Sequence, residues 1–122
     1  MAGNIHPTAL VDAAAVVPAD AVVGPFVVIE GPVTLGPRCV VRAHAQLIGP
    51  MTLGPDNDVG RGTILGERPQ HLAADGAGAT VVIGAGNRFR EYCTVHRGSH
   101  AGQCTRIGDG NRIEGKRGRE RP

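Results

Sequence analysis

The sequence predicts an all-β solenoid built from short parallel strands, and three observations predict it. Ile5, Val11, Val17, Val23, Ile29, Leu35, Val41, Leu47, Leu53, Val59 and Leu65 follow one another at intervals of six without a miss. Four residues after each aliphatic the side chain is nearly always small, as at Ala9, Ala15, Ala21, Val27, Val33, Cys39, Ala45, Asn57 and Thr63, with Met51 the exception. Finally, 19 Gly and 9 Pro stand among 122 residues whose only aromatics are Phe26, Phe89 and Tyr92. Gly and Pro are poor in helix interiors, so a helical bundle is excluded. The 27 Ile, Leu and Val residues are too many for a disordered chain.

A period of six fits neither the 3.6-residue helix nor simple alternation, but it fits short strands joined by tight turns. Three hexads make one triangular coil, so the unbroken series from Ile5 to Leu65 fills the first coils continuously. The phase resumes at Ile83, Phe89 and Val95, and again at Ile107 and Ile113, for sixteen hexads and about five coils. In each hexad the aliphatic points into the prism and the small residue lets the chain turn the corner. Gly, Asn or Asp is expected where a corner demands positive φ. Coils stack at the ~4.8 Å strand spacing, and so narrow an interior explains the dearth of aromatics. The repeat is expected over residues 3–113, with excursions at 67–82 and 97–106 and a basic non-repeat tail at 114–122.

Charge and cysteine content narrow the function classes. The formal charge is +2, from 13 Lys and Arg against 11 Asp and Glu. Arg112, Lys116, Arg117, Arg119 and Arg121, with Glu114 and Glu120, put +3 into the last eleven residues and leave −1 for residues 1–111. The body therefore offers no nucleic-acid footprint, and the tail lacks the aromatic interleaving such binding uses. No apolar run approaches the ~18 residues of a membrane span, and no signal peptide is expected. The chain reads as soluble and cytoplasmic. Cys39, Cys93 and Cys104 form no CxxC pair, so neither a disulfide framework nor a zinc site is expected, and Cys39 and Cys93 occupy the small corner position, three coils apart.

Insertions in a solenoid often supply its binding surface. Around the two breaks the sequence reads Gly66-Glu67-Arg68-Pro69-Gln70-His71-Leu72, Ile83-Gly84-Ala85-Gly86-Asn87-Arg88-Phe89-Arg90-Glu91, Thr94-Val95-His96-Arg97-Gly98-Ser99 and Thr105-Arg106-Ile107-Gly108-Asp109-Gly110-Asn111. With the opening Ile5-His6-Pro7-Thr8-Ala9 and Gly24-Pro25-Phe26, this order resembles the acyl-carrier-protein:UDP-N-acetylglucosamine O-acyltransferases of lipid A synthesis, a branch of the hexapeptide-repeat transferases. The resemblance covers residues 5 to 113. It implies a left-handed parallel β-helix and a homotrimer. It also implies transfer of a 3-hydroxyacyl chain from acyl carrier protein to the 3-hydroxyl of UDP-N-acetylglucosamine, without metal or cofactor.

The resemblance further implies substrate-binding roles for His96, Gln70, His71 and Arg97. His96 directly follows the core residue Val95, which turns its side chain outward; the alternative is a solvated histidine. His71 and Ala73 stand where the family has a carboxylate and often a basic residue, and the plainer reading of His71 is a loop histidine. Arg88, Arg90 and Arg97 either help to bind the pyrophosphate or the acidic carrier protein, or form a solvated face. The family's catalytic histidine lies about ten residues beyond its IGxxN segment, a count that reaches Arg121 here, and no histidine follows His100. No catalytic base is therefore assigned, and the chain is expected to be an inactive amino-terminal fragment. The alternatives are a non-catalytic β-helix that only assembles, or another enzyme on the scaffold such as a γ-class carbonic anhydrase, for which only His96 is suitably placed.

Overall fold

The computed structural model describes residues 4–67, 79–98 and 103–114. Among these, fifteen strands of two to four residues, numbered in chain order, form three parallel sheets. Sheet A stacks β1 (Asn4–Ile5), β3 (Val22–Val23), β6 (Val40–Val41), β9 (Asp58–Val59), β12 (Arg88–Phe89) and β15 (Arg112–Ile113). Sheet B stacks β2 (Leu10–Val11), β4 (Val28–Glu30), β7 (Gln46–Ile48), β10 (Ile64–Glu67) and β13 (Thr94–His96). Sheet C stacks β5 (Val33–Thr34), β8 (Met51–Leu53), β11 (Thr80–Ile83) and β14 (Cys104–Ile107), and a bridge from Val16 to Thr34 extends it toward the first coil.

The register shows how the insertions are absorbed. Val22 pairs with Val40 and Val40 with Asp58, each a step of one coil, or three hexads. Asp58 then pairs with Arg88 and Arg88 with Arg112, so the steps lengthen to five hexads and then four. Every step remains a whole number of hexads. Each insertion therefore leaves the inward positions facing inward, which a change of one residue would not.

The aliphatic series is the core. Val23, Ile29, Leu35, Val41, Leu47, Leu53, Val59, Leu65, Ile83, Phe89, Ile107 and Ile113 are all at most 4% exposed. Burying one such side chain stabilises the fold by ~1.5–3 kcal/mol. Ile5, Val11, Val17 and Val95 pack only partly against this core. Phe89 takes an inward position with 1% exposure, so the prism admits one aromatic ring.

The corners depart from expectation. Five non-glycine residues adopt positive φ: Phe26 (58°), Arg38 (62°), His44 (64°), Asp56 (63°) and Tyr92 (59°). Of these only Asp56 belongs to the types expected there, and the left-handed region costs the others about 1–2 kcal/mol each. Two kinds of contact hold them. Corner N–H groups donate to the neighbouring coil: His44 to the Pro25 carbonyl (3.0 Å), Asp56 to that of Pro37 (3.0 Å) and Tyr92 to that of Arg61 (2.8 Å). Side chains also stack into columns. The Phe26 and His44 rings lie 5.1 Å apart at 15°, and Arg38 grips Asp56 through two hydrogen bonds of 2.7 and 3.1 Å. At Gly62 an added Cβ would collide with the Tyr92 ring, so the missing side chain makes room for it.

Inside the corners, the small residues also satisfy backbone groups. Asn57 Oδ1 accepts from the Asn87 N–H (2.8 Å), and Asn87 Oδ1 accepts from the Asn111 N–H (2.7 Å). Asn57 Nδ2 donates to the carbonyls of Gly54 and Gly84, and Asn87 Nδ2 donates to that of Gly108 (2.7 Å). At another corner Thr63 Oγ1 donates to the Arg90 carbonyl (2.7 Å) and accepts from the Cys93 N–H (3.2 Å). Corner amides lie outside the sheet ladders, and a buried unpaired one costs ~1–3 kcal/mol.

Asn87 is 1% exposed, and its side chain satisfies the Gly108 carbonyl and the Asn111 N–H of the next coil. Asn87→Ala should therefore lower stability by about 2–4 kcal/mol, read as an earlier urea midpoint with an unchanged β-sheet circular-dichroism signal. A shift below about 0.5 kcal/mol, the range of an ordinary surface substitution, would show that the asparagine column is not structural.

Candidate functional site

The specific motifs meet at the end of sheet B. Strand β13 ends on His96, which pairs with Glu67 at the end of β10, where the ladder is irregular between Leu65 and Glu67. Gly66 causes the irregularity: its φ is +85°, and a Cβ there would strike the Ile48 carbonyl and Met51. Only glycine suits such a position. The extra residue brings Glu67 opposite His96.

Backbone and side-chain bonds hold this strand end. The Arg97 N–H donates to the Glu67 carbonyl at 2.9 Å, and Thr105 Oγ1 donates to the His96 carbonyl at 3.3 Å. Glu67, His96, Arg97 and Gly98 are each half-buried. At Gly98 a Cβ would press on the Gln103 side chain, so a bulkier residue would displace the strand that follows. Residues that carry an imidazole, a carboxylate and a guanidinium thus share this strand end. Such a set can accept and donate hydrogen bonds to sugar hydroxyls and attract an anion.

Of the residues expected in the site, His96 and Arg97 are adjacent at this strand end, whereas Gln70 and His71 lie outside the described residues, as does Ala73. Arg88 and Arg90 sit with β12 on sheet A, apart from Arg97 on the sheet B side. Glu67 belongs to the insertion motif, but sequence reasoning gives it no role in the site. The signal that could have found it is Gly66, a glycine in phase with the repeat and followed by a charged residue.

The thiols are not positioned for nucleophilic chemistry. Burial pushes the Cys39 and Cys93 thiols up, and both are fully enclosed, with Sγ facing the Gly54 carbonyl (3.1 Å) and the Ile113 carbonyl (3.2 Å) respectively. Cys104 is exposed. Among the described residues no group of three His, Cys, Asp or Glu side chains could hold a metal ion, and no helix is long and apolar enough to cross a membrane.

The chain is similar to known proteins over most of its length. Residues 5–49 match the bacterial transferase hexapeptide (six repeats) family. Over 111 residues the chain is 37% identical to the acyl-[acyl-carrier-protein]–UDP-N-acetylglucosamine O-acyltransferase of Syntrophobacter fumaroxidans, covering 90% of this chain and 43% of that one. It is 32% identical over 106 residues to the Chlamydia pneumoniae protein of the same name, covering 87% and 38%. The crystal structure of the Francisella novicida UDP-N-acetylglucosamine acyltransferase superimposes with a TM-score of 0.85 at 29% identity, over 90% of this chain and 41% of that one. The Arabidopsis UDP-N-acetylglucosamine acyltransferase gives 0.72 at 29% identity, over 90% and 46%. The chain therefore spans about two fifths of the length of the curated relatives it matches. The architecture is the left-handed parallel β-helix of these enzymes.

The burial pattern predicts thiol reactivity. At neutral pH a disulfide reagent should label one thiol per folded chain quickly, at Cys104, and all three cysteines after denaturation. Three fast thiols in the folded chain would contradict the buried corner positions of Cys39 and Cys93.

Proposed function

We propose that this chain, a hexapeptide-repeat homologue of the UDP-N-acetylglucosamine O-acyltransferases, forms the sugar-nucleotide side of such an enzyme. His96 and Arg97, with Gln70 and His71 from the insertion, contact UDP-N-acetylglucosamine. The observation that supports this most is the placement of His96-Arg97-Gly98 at the end of β13, opposite Glu67, in a chain that superimposes on a UDP-N-acetylglucosamine acyltransferase with a TM-score of 0.85.

The reaction is transfer of a 3-hydroxyacyl group from the carrier-protein thioester to the sugar 3-hydroxyl. The hydroxyl oxygen attacks the thioester carbonyl, a C–O bond forms, the C–S bond breaks, and the thiol leaves with the proton that the hydroxyl gives up. A base must take that proton during attack, and hydrogen-bond donors must hold the oxyanion. Neutral imidazole suits the base role near pH 7. His96 is read as a binding group because the matched position of the base falls at Arg121, and the sequence has no histidine after His100. The enzyme works as a homotrimer in the cytoplasm, with acyl carrier protein as its macromolecular partner.

Two measurements on the 122-residue chain test this reading. Given 3-hydroxyacyl carrier protein and UDP-N-acetylglucosamine, it should show no acyl transfer above background, and turnover well above background would refute the assignment of no base. UDP-N-acetylglucosamine should nonetheless bind, with His96→Ala weakening binding about tenfold. Binding indifferent to that substitution would remove His96 from the site.

A further inference from the structure

Sheet A carries a cleft apart from the strand end that holds His96 and Arg97. It has a volume of about 520 Å³ and is walled by Arg42, Asp58, Arg61, Arg88, Arg90 and Glu91. Its floor is smooth. Gly60 has no side chain, a Cβ there would come within 2.5 Å of the Phe89 carbonyl, and the Phe89 ring is buried in the prism.

The charges do not balance. Arg42 occupies both oxygens of Asp58, with hydrogen bonds of 2.8 and 2.9 Å. Arg88, the direct ladder partner of Asp58, reaches the same carboxylate only at 4.0 Å. Arg90 donates to Glu91 at 3.2 Å. Arg61 lies 5.7 Å above the Tyr92 ring, a contact that steadies the guanidinium, and it shares the Glu91 carboxylate's field with Arg90. Among the described residues that line the cleft, four guanidinium groups thus face two carboxylates, one of which Arg42 already saturates, and the cleft holds a surplus of two positive charges.

We propose that this cleft binds a phosphate dianion, the terminal group of a small phosphorylated metabolite, with Arg88 and Arg61 as its principal ligands. Two negative charges cancel the surplus, and planar guanidinium forks match phosphate oxygens in pairs. The concave volume suits a small molecule that carries such a group rather than the broad face of an acidic protein. The parallel ladder holds Arg88 beside Asp58, so the site is organised by the same stacking that forms the core.

Calorimetric titration of the 122-residue chain with inorganic phosphate at low salt tests the proposal. Saturable binding of one ion per chain is expected, weakened about tenfold by Arg88→Gln and by Arg61→Gln. Arg106→Gln, an exposed arginine on sheet C, should leave it unchanged, and circular dichroism of each variant should match the parent. Three results would overturn the proposal: absence of saturable binding, an equal loss from Arg106→Gln, or tighter binding of a polyglutamate peptide than of phosphate.

Discussion

Everything in this molecule depends on one requirement: each short strand must find its backbone partners in the coil before and the coil after it. A strand of two residues, such as Val40–Val41, has no stability of its own. Its N–H and C=O groups are satisfied only when the chain returns, a whole number of hexads later, to the same side of the triangle. That return places Val23, Val41, Val59, Phe89 and Ile113 in one buried column along sheet A. The same return lays Asn87 between Asn57 and Asn111, its backbone N–H donating to the Asn57 side chain and its Oδ1 accepting from the Asn111 N–H. Core and polar column are two consequences of one register.

The insertions are tolerated because they respect that register. Steps of five and four hexads in place of three preserve the inward phase, so the strands that follow each insertion pair in register with those before it. Strand β13 ends on His96 and β10 ends opposite it, so both breaks in the repeat begin at this strand end. The bulge at Gly66 adds a local correction, bringing Glu67 into the same region.

The core is legible in the sequence because a six-residue period states directly which side chains face inward, and positions from Val23 to Ile113 obey it. The corners are less legible. Positive φ is expected of Gly, Asn or Asp, yet Phe26, His44 and Tyr92 adopt it, with neighbouring-coil carbonyls bonded to His44 and Tyr92 and the rings of Phe26 and His44 stacked. Those partners are a full coil or more away along the chain and appear only once the coil length is known. The same holds for the sheet A cleft: Asp58 and Arg88 are five hexads apart, and nothing short of the register makes them neighbours. Of the site, His96 and Arg97 are identifiable from their motif, while Glu67 needs the bulge that Gly66 creates.

The register across the insertions is the claim on which the site and the cleft both rest, and proton–proton contacts in solution read it directly. Nuclear Overhauser spectra of the folded chain should connect the Phe89 ring to the methyl groups of both Val59 and Ile113, five hexads before it and four hexads after it. A Phe89 ring without those contacts, or one contacting residues a plain three-hexad coil away instead, would contradict the stacking described for sheet A.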